Sequence, residues 1–569
     1  MPLGVEGFRY HDLFDPLRLR DLFSAFCTDL KARAPDVAAS YEDYSKRQGA
    51  GMTPEQVSVV LLAVTPFVSA FVGRLFGVEK ELANLASEVK DRSPLWRFKQ
   101  DFAKKRVLKE SAGKAWKGTI LEASAVSTTA ISAMSPKDAA SVLKRGTHHL
   151  PDEELSVATA VVLLAEVDDV ARKAAKAGGA QWTDELRGRA VALRAALASD
   201  WNASKVSEAA CALGGDGAPG DAPTDADNQK VVAFALDAVE AWLAHRRKEH
   251  GDPAHHWPSL HMPKNLDYQH LVELRRPEPK IPELFVGPEH ERRERDGFAL
   301  TDRRADPRKV EEQIDYCLYC HERDKDSCSK GLREKSGEMK KNPLGVVLNG
   351  CPLDEKISEM HVMRRDGDAL GALALVCLDN PMCPGTGHRI CNDCMKACVF
   401  QKQEPVNIPQ IETRVLTEVL SLPFGLEIYG LLARWNPLDV RRPYPLPYNG
   451  RNVCVVGLGP AGYTLAHHLC REGFGVVAVD GLKIEPLPVE LVGEHSNGRH
   501  TAPTPVKDFG TLYEELDERT LLGFGGVSEY GITVRWDKNF LTLLYITLAR
   551  NPLLRIYGGV RFGGTMTLD

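Results

Sequence analysis

Nine of the thirteen cysteines lie in the 82 residues from Cys317 to Cys398. This segment opens with a Cys-x2-Cys pair and holds a second such pair near its end. Two residues between cysteines let both thiolates turn towards one metal centre while the intervening backbone N–H groups point at it. This dense group of thiols constrains the fold more than any other feature, and its members are Cys317, Cys320, Cys328, Cys351, Cys377, Cys383, Cys391, Cys394 and Cys398.

Metal binding explains these cysteines better than disulfide formation. The N-terminal residues carry charges where an export signal has an apolar run, so we expect a cytoplasmic protein. The cytoplasm is reducing, and an odd number of cysteines does not close into a complete disulfide set. The net charge of -6 provides no basic field, so nucleic acid is not expected as a partner. Spacing alone leaves both zinc and iron-sulfur open.

The chain before the cysteines is predicted to be helical. With 569 residues, the chain exceeds what one hydrophobic core holds, and roughly three to four domains are expected. Thr53, Pro54 and Gln56 form a helix-start pattern, and 17 uncharged residues follow from Val57 to Gly73. Pro66 and the hydroxyl residues favour a buried helix over a membrane-spanning one, so no membrane insertion is expected.

The cysteine segment resembles a known cluster domain. Its sequences CLYC, GCPL and RICNDCMKAC, followed by EPVNIPQIE, are similar to the N-terminal domain shared by the small chain of glutamate synthase and dihydropyrimidine dehydrogenase. The resemblance covers about residues 315–420 and implies two 4Fe-4S clusters with interleaved ligands. By position it assigns one cluster to Cys317, Cys320, Cys328 and Cys398, and the other to Cys351, Cys391, Cys394 and the side chain of Glu412.

The segment also departs from that family. It inserts 22 residues between Cys328 and Cys351, where the family has only a few. Cys377 and Cys383 have no counterpart, and Cys383 is an alternative to Cys391 as a ligand of the second cluster.

A dinucleotide-binding pattern follows the cysteines. The apolar run Val453–Val456 leads into a GxGxxG sequence, and a second apolar run ends at Asp480. This order predicts a strand, a helix over residues 461–471 and a second strand over residues 476–479. We expect Gly457 to allow the tight turn, Gly459 to let the backbone approach a pyrophosphate, and Gly462 to let the helix pack on the strand. Asp480 is placed to accept hydrogen bonds from a ribose.

The same families suggest FAD as the nucleotide. Pro460 and Ala461 complete a Gly-Pro-Ala-Gly sequence that resembles their FAD site. Further on, GFGGVSEYGITVR resembles the segment after that site, which adds Gly526 and Arg535 as flavin-binding candidates. In the family an NADPH-binding domain interrupts the flavin domain, whereas this sequence ends at Asp569 before it. The resemblance therefore implies a fragment, a truncated product or one half of a split protein, with NADPH or NADH expected only with that domain.

Together these features predict an α plus α/β protein: a helical N-terminal region, an all-helical two-cluster ferredoxin-like domain and the start of a Rossmann-like FAD-binding domain. The expected bounds are 1–250 for the helical region, 251–312 for a connector rich in proline and charge, 313–425 for the cluster domain, 426–450 for a bridge and 451–569 for the incomplete FAD-binding domain.

The functional hypothesis is an oxidoreductase that moves electrons between NAD(P)H, FAD and two 4Fe-4S clusters. Its acceptor is unidentified, and a redox partner or catalytic subunit is expected. One alternative is a non-catalytic electron-transfer or scaffold subunit that a partner chain completes. The other is an interaction protein stabilised by zinc.

Overall fold

A computed structural model gives the fold of the chain. It contains two compact units. The smaller unit is Glu88–Pro263, and the larger unit combines Met1–Ser87 with Lys264–Asp569. The structure describes residues 1–134, 152–177, 183–200, 225–272, 274–288, 304–323, 326–386, 391–482, 484–496, 499–515 and 539–568.

The smaller unit is helical where it is described. Phe98, Phe102 and Leu236 are among the residues of its own apolar core. Arg106 pairs with Glu240 at 2.6 Å and ties two of its helices together. Helix Glu79–Phe98 leads into this unit, whose further elements are the π-helix Lys99–Val107, the α-helices Ile120–Met134, Glu153–Ala177, Asp184–Asp200 and Asp225–Arg246, and the 3-10 turns Pro253–His256 and Pro258–Leu260.

The larger unit begins with a short 3-10 helix, Tyr10–Phe14, and three α-helices, Pro16–Arg33, Pro35–Arg47 and Pro54–Phe76. The last of these starts as its sequence predicts. Thr53 Oγ1 accepts a hydrogen bond from Gln56 N at 3.2 Å, and Gln56 Oε1 accepts one from Thr53 N at 2.9 Å.

Helix Pro54–Phe76 is also, within the described residues, the one helix long and apolar enough to cross a membrane. Of its most apolar 18-residue window, 61% is buried inside the protein. Its apolar surface therefore serves as core in this fold.

The unit boundary differs from the expected helical region at 1–250, because the first 87 residues pack with the C-terminal half of the chain. Trp435 lies at the centre of this contact: its Nε1 donates to Leu19 O at 3.1 Å, and its ring stacks on Phe71 with centroids 6.1 Å apart. Tyr41 likewise donates to Pro437 O at 2.6 Å. Apolar residues almost 400 positions apart thus form one core, which no local pattern shows.

Short helices joined by irregular segments carry the cysteines. All of them belong to the larger unit, and its hydrophobic core includes Cys328, Cys377, Cys383 and Cys398. The helices are Pro307–Tyr316, the 3-10 turn Cys320–Arg323, Ser327–Lys330, Ile357–Arg365, Ala369–Asp379, Cys383–Thr386, Asp393–Ala397, Ile408–Leu420 and Gly425–Arg434.

A parallel sheet with the order β1-β2-β5 completes the larger unit. Strands β1 (Asn452–Val456) and β2 (Gly475–Val479) pair in register from Asn452 with Gly475, and β5 (Leu554–Tyr557) lies on the other side of β2. Helix Pro460–Arg471, here called the fingerprint helix, connects β1 to β2. The remaining elements are helix Val489–Val492, the antiparallel strands β3 (Glu494–Ser496) and β4 (Arg499–Thr501), the 3-10 turn Phe509–Leu512 and helix Asn539–Ala549.

The cysteine segment and the sheet share one core. A Cβ atom added to Gly385 would lie 2.3 Å from the hydroxyl oxygen of Tyr463 on the fingerprint helix and 3.0 Å from Leu544 Cδ2. Because position 385 is a glycine, the cysteine segment can contact the fingerprint helix beside the sheet. The regions expected as separate domains at 313–425 and 451–569 are therefore in direct contact.

Candidate cofactor sites

Four cysteines line one small cavity. Cys317, Cys320, Cys328 and Cys398 lie around a space of about 20 Å³ together with Ser358 and His361. We call these four cysteines the first thiol group. They are the four that the family resemblance assigns to one cluster, although Cys398 is 70 residues beyond Cys328 in the chain.

Backbone N–H groups point at the sulfurs of several cysteines. Tyr319 N donates to Cys317 Sγ at 3.4 Å, and Tyr319 takes a left-handed conformation, with φ of 48°, in the turn between Cys317 and Cys320. The same spacing recurs at three more cysteines, whose sulfurs accept a backbone hydrogen bond from the residue two places on: Cys351 from Leu353, Cys391 from Asp393 and Cys398 from Phe400. Hydrogen bonds of this kind favour a thiolate.

The 22-residue insertion folds back on itself. Leu332 N donates to Leu348 O at 2.9 Å, and a Cβ atom on Gly350 would lie 2.5 Å from Gly331 N. The two ends of the insertion therefore meet, and Cys351 N donates to Cys328 O at 2.8 Å. Cys328 and Cys351 are thus neighbours in space.

His361 lines the cavity of the first thiol group and is fully buried. Neither of its ring nitrogens has a hydrogen-bond partner within the described part of the chain. Burial lowers its pKa to about 3, so the ring is neutral and carries one N–H. A buried N–H without an acceptor costs about 1–3 kcal/mol, so an acceptor in the cavity would stabilise this arrangement.

Burial dominates the acidity of the thiols. It raises the pKa of Cys317 to about 12, and it raises the pKa of Cys328 well above the usual value. Neighbouring acidic groups raise both further, among them Cys398. A thiolate here would be an unpaired buried charge unless a cationic metal centre balanced it.

Glu412 is the centre of a second group of donors. It lies on helix Ile408–Leu420 and is buried, and its Oε1 has no hydrogen-bond partner among the residues described. Burial raises its pKa well above the usual value, and Glu355 and Cys377 raise it further. A buried carboxyl oxygen that accepts no hydrogen bond is a candidate ligand for a cation.

The charges of the other members of this second group act on Cys394. Burial raises the pKa of Cys394 well above its usual value. The negative charges of Glu355, Cys351, Glu412 and Cys391 raise it further. Cys391 is exposed and directly follows residues 387–390, which lie outside the described part of the chain. Cys351, Cys391 and Glu412 thus lie near enough to Cys394 to raise its pKa.

Three further residues lie near this second group: Glu355 and Cys377, which the sequence did not assign, and Cys383, which it gave only as an alternative to Cys391. Burial raises the pKa of Glu355 to about 7, and the carboxyl group lies close to Glu412 and Cys394. The Cys383 thiol is hydrogen-bonded to Cys377. Burial raises the pKa of Cys383, and Cys377 and Glu412 raise it further. Glu355 had one sequence signal, its place four residues after Cys351, while Cys377 and Cys383 lie in the core beside the group.

The donors are spread out rather than convergent. Within the described ranges, no three His, Cys, Asp or Glu side chains form a group that could hold a single metal ion. A zinc site brings its donors to one point, with Zn–S distances of about 2.3 Å. A cluster spreads its thiolate ligands over several irons. The described donors therefore do not converge on a single metal-ion site in this structure.

The glycine fingerprint lies at the carboxyl end of β1. Gly457 has a φ of 94°, which favours glycine, and its N donates to Val479 O on β2 at 2.8 Å. A Cβ atom on Gly462 would lie 1.8 Å from Gly457 O, so only glycine lets the fingerprint helix approach this loop. Gly459 caps that helix, which starts at Pro460 and Ala461 with its N-terminus open to a phosphate.

Asp480 follows β2 and holds the glycine loop. Its Oδ2 accepts from Leu458 N at 2.7 Å, and its Oδ1 accepts from Leu482 N at 2.9 Å. A carboxylate has further lone pairs, so the ribose contact expected of Asp480 stays a prediction. Gly526 and Arg535, the other two flavin candidates, lie outside the described residues.

Comparisons with known proteins give partial similarities. No family model matches the chain. It is 51% identical over 188 residues to an uncharacterized protein of Rickettsia prowazekii, a match that covers 33% of this chain and 25% of that protein. A second uncharacterized Rickettsia prowazekii protein is 45% identical over 56 residues, which cover 9% and 19%.

One similar protein has a described function. The chain is 28% identical over 153 residues to the glutamate synthase [NADPH] small chain of Mycobacterium tuberculosis, which covers 27% of this chain and 28% of that protein. The similarity to that oxidoreductase is distant and partial. The chain spans about a quarter of the length of the first relatives it matches.

Proposed function

We propose that the chain is the electron-transfer part of an FAD- and iron-sulfur-dependent oxidoreductase. The single observation that carries this proposal is the arrangement of Cys317, Cys320, Cys328 and Cys398 around one cavity. The partial similarity to the glutamate synthase small chain supports the same class of function.

The chain's own residues supply the proposed cluster sites. The first thiol group would hold one 4Fe-4S cluster, and His361 would donate its free N–H to an acceptor in the same cavity. Cys351, Cys391, Cys394 and Glu412 would hold the other cluster, with Glu355 beside them. Burial of Cys320, Cys328, Cys398 and Glu412 limits their contact with water. The N–H groups directed at Cys317, Cys351, Cys391 and Cys398 stabilise negative charge on sulfur.

The fingerprint would bind FAD through its backbone. Gly457, Gly459 and Gly462 allow the close approach of a pyrophosphate to the start of the fingerprint helix, where backbone N–H groups are unpaired. Gly385 and Tyr463 put the cysteine segment against this helix, so the two proposed sites would share one hydrophobic core.

The chemistry that these groups supply when bound is the conversion of a two-electron hydride transfer into single-electron transfers. NAD(P)H is proposed as the hydride donor because the similar small chain carries NADPH in its name. The acceptor, and the redox partner or catalytic subunit that would provide it, belong to the proposal as well. No side chain of the chain needs to act as an acid or base in this scheme.

Anaerobic purification tests the proposal. Iron, acid-labile sulfide, zinc and flavin would be measured on the full chain, with an absorption spectrum before and after reduction by dithionite. Two clusters correspond to about eight iron and about eight sulfide per chain, and FAD to about one. Zinc without iron or sulfide would overturn the proposal and favour the zinc-stabilised interaction protein.

A further inference from the structure

A second cavity lies at the edge of the sheet opposite the glycine fingerprint. Its volume is about 550 Å³, within the range of small-molecule sites. It is lined by Leu446–Tyr448 just before β1, by Leu553 just before β5, and by Cys470 and Arg471 at the end of the fingerprint helix. Because that helix rises about 1.5 Å per residue, its two ends lie about 16 Å apart. The cavity is therefore distinct from the proposed FAD site.

Three arginines line this cavity: Arg434, Arg471 and Arg550. Arg550 pairs with Glu427 at 2.7 Å, and Arg471 pairs with Asp439 at 2.8 Å. Each nevertheless keeps one buried nitrogen without a partner within the described residues, Arg550 Nη2 and Arg471 Nε, although both residues are at most 5% exposed. A buried charged N–H group without an acceptor is costly, so each of these nitrogens favours an acceptor nearby.

Arg434 makes no ion pair among the described residues. Its Nε donates to Leu13 O at 3.1 Å, and its guanidinium lies over the Phe14 ring at 4.5 Å from the centroid. Burial lowers its pKa to about 10, and the charge of Arg550 contributes to that shift. The guanidinium is partly exposed and, within the described residues, has no carboxylate at ion-pair distance.

Acidic side chains balance the arginines in number around the cavity. Asp15 also lines it, and its carboxylate accepts a hydrogen bond from Leu17 N at 2.9 Å at a helix start. His467 is neutral because burial lowers its pKa, and its Nε2 donates to Ala433 O at 3.0 Å. Asp15, Glu427 and Asp439 thus match the three arginines in number, but within the described residues no carboxylate forms an ion pair with Arg434 itself.

Apolar walls complete the cavity, including Leu13, Phe14, Leu19 and Leu553. An arginine without a direct ion pair, two further guanidinium nitrogens without an acceptor and hydrocarbon walls together fit a ligand with a carboxylate and an apolar body. We propose that this cavity binds a small organic carboxylate, which pairs with Arg434 and places its hydrocarbon portion against the apolar walls.

Titration calorimetry on the full chain with octanoate tests this proposal. Octanol serves as the neutral control and inorganic phosphate as an anion without an apolar body. We expect wild-type protein to bind octanoate, and octanol and phosphate to bind at least about tenfold more weakly, since each lacks one of the two contacts. The substitution Arg434→Gln should weaken octanoate binding by about tenfold or more, whereas Arg434→Lys should keep most of it.

A second variant keeps the test decisive if Arg434→Gln lowers stability. Gly430 lines the cavity in the middle of helix Gly425–Arg434, and a Cβ atom there meets nothing within 4 Å. Gly430→Leu should fill the cavity and abolish octanoate binding while thermal stability stays equal or rises, because leucine is the better helix former. Equal octanoate binding in wild type, Arg434→Gln and Gly430→Leu would overturn the proposal, as would the absence of binding at millimolar octanoate or tighter binding of phosphate.

Discussion

The cysteine region and the glycine fingerprint share one hydrophobic core but are supported in different ways. The fingerprint is held by its neighbours in sequence: Gly457 bonds β2, Asp480 bonds Leu458, and Gly462 packs on Gly457. All of these contacts fall within 24 residues. They form a βαβ unit, whose geometry is specified locally.

The cysteine region is held by distant residues. Helix Ile357–Arg365 carries His361, and on it Glu359 accepts a hydrogen bond from Ser58, 301 residues earlier. The next helix, Ala369–Asp379, is capped by Asp368, which accepts from Ser69 Oγ at 2.6 Å. The helices of the cysteine region therefore depend on hydrogen bonds from the N-terminal helices, whereas the fingerprint depends on its own neighbours in sequence. This contrast predicts which substitutions affect which cofactor.

The largest effect is expected for Cys398→Ser. Loss of one ligand of the first thiol group should remove one cluster and lower iron from about eight to about four per chain. Iron analysis and the spectrum of the reduced protein would measure this. Cys454→Ser is the matched control, since Cys454 is exposed on β1. Unchanged iron in Cys398→Ser, or lost iron in the control, would contradict the assignment.

The next effect distinguishes two neighbouring carboxyl groups. Glu412→Ala should also lower iron to about four per chain, because Glu412 is proposed as a ligand. Glu355→Ala should keep about eight, because Glu355 is only a neighbour. Iron analysis of both variants measures the difference. The reverse result would move the ligand to Glu355.

Gly462→Val tests the local support of the fingerprint. The new Cβ atom would lie 1.8 Å from Gly457 O, so the loop must shift and FAD content should fall at least about tenfold while iron stays unchanged. Leu465→Ala, at an exposed position of the same helix, should keep FAD. Flavin fluorescence after denaturation provides the measurement. Loss of iron together with FAD would show that the fingerprint and the cysteine region do not depend on independent contacts.

The smallest effect concerns the distant support at Asp368. Burial raises its pKa from 3.8 to about 6, so the folded protein holds this proton more tightly than the unfolded chain. The contribution to stability is therefore complete below about pH 4 and is lost as pH rises to about 6. The loss amounts to about 1–3 kcal/mol in the free energy of unfolding, by the conversion of a pKa shift into energy.

Asp368→Asn removes this titration and keeps a good helix cap. Relative to wild type, the variant should gain stability between pH 4 and pH 7, as measured by the urea midpoint at each pH. A difference that stays constant across this range would show that Asp368 does not titrate in it.

The same contrast explains what the sequence could predict. Strand β1 and the fingerprint helix lie within one residue of their expected bounds, because glycine spacing and apolar runs are local signals. The grouping of the cysteines came from a family resemblance, since spacing alone did not choose between metals. His361 and Glu355 were missed because only folding brings them beside the thiols. The boundary after residue 87 was missed because Phe71 and Trp435 meet across the chain.

The segment between Cys328 and Cys351 bears on how cysteine spacing is interpreted. Because its ends touch at Gly331 and Gly350, the chain leaves the cysteine region and returns to the same point. Residues can be gained or lost between these glycines without moving either cysteine. The number of residues between two ligands is thus a poor measure of their separation, and searches that require fixed cysteine spacing would overlook proteins built in this way.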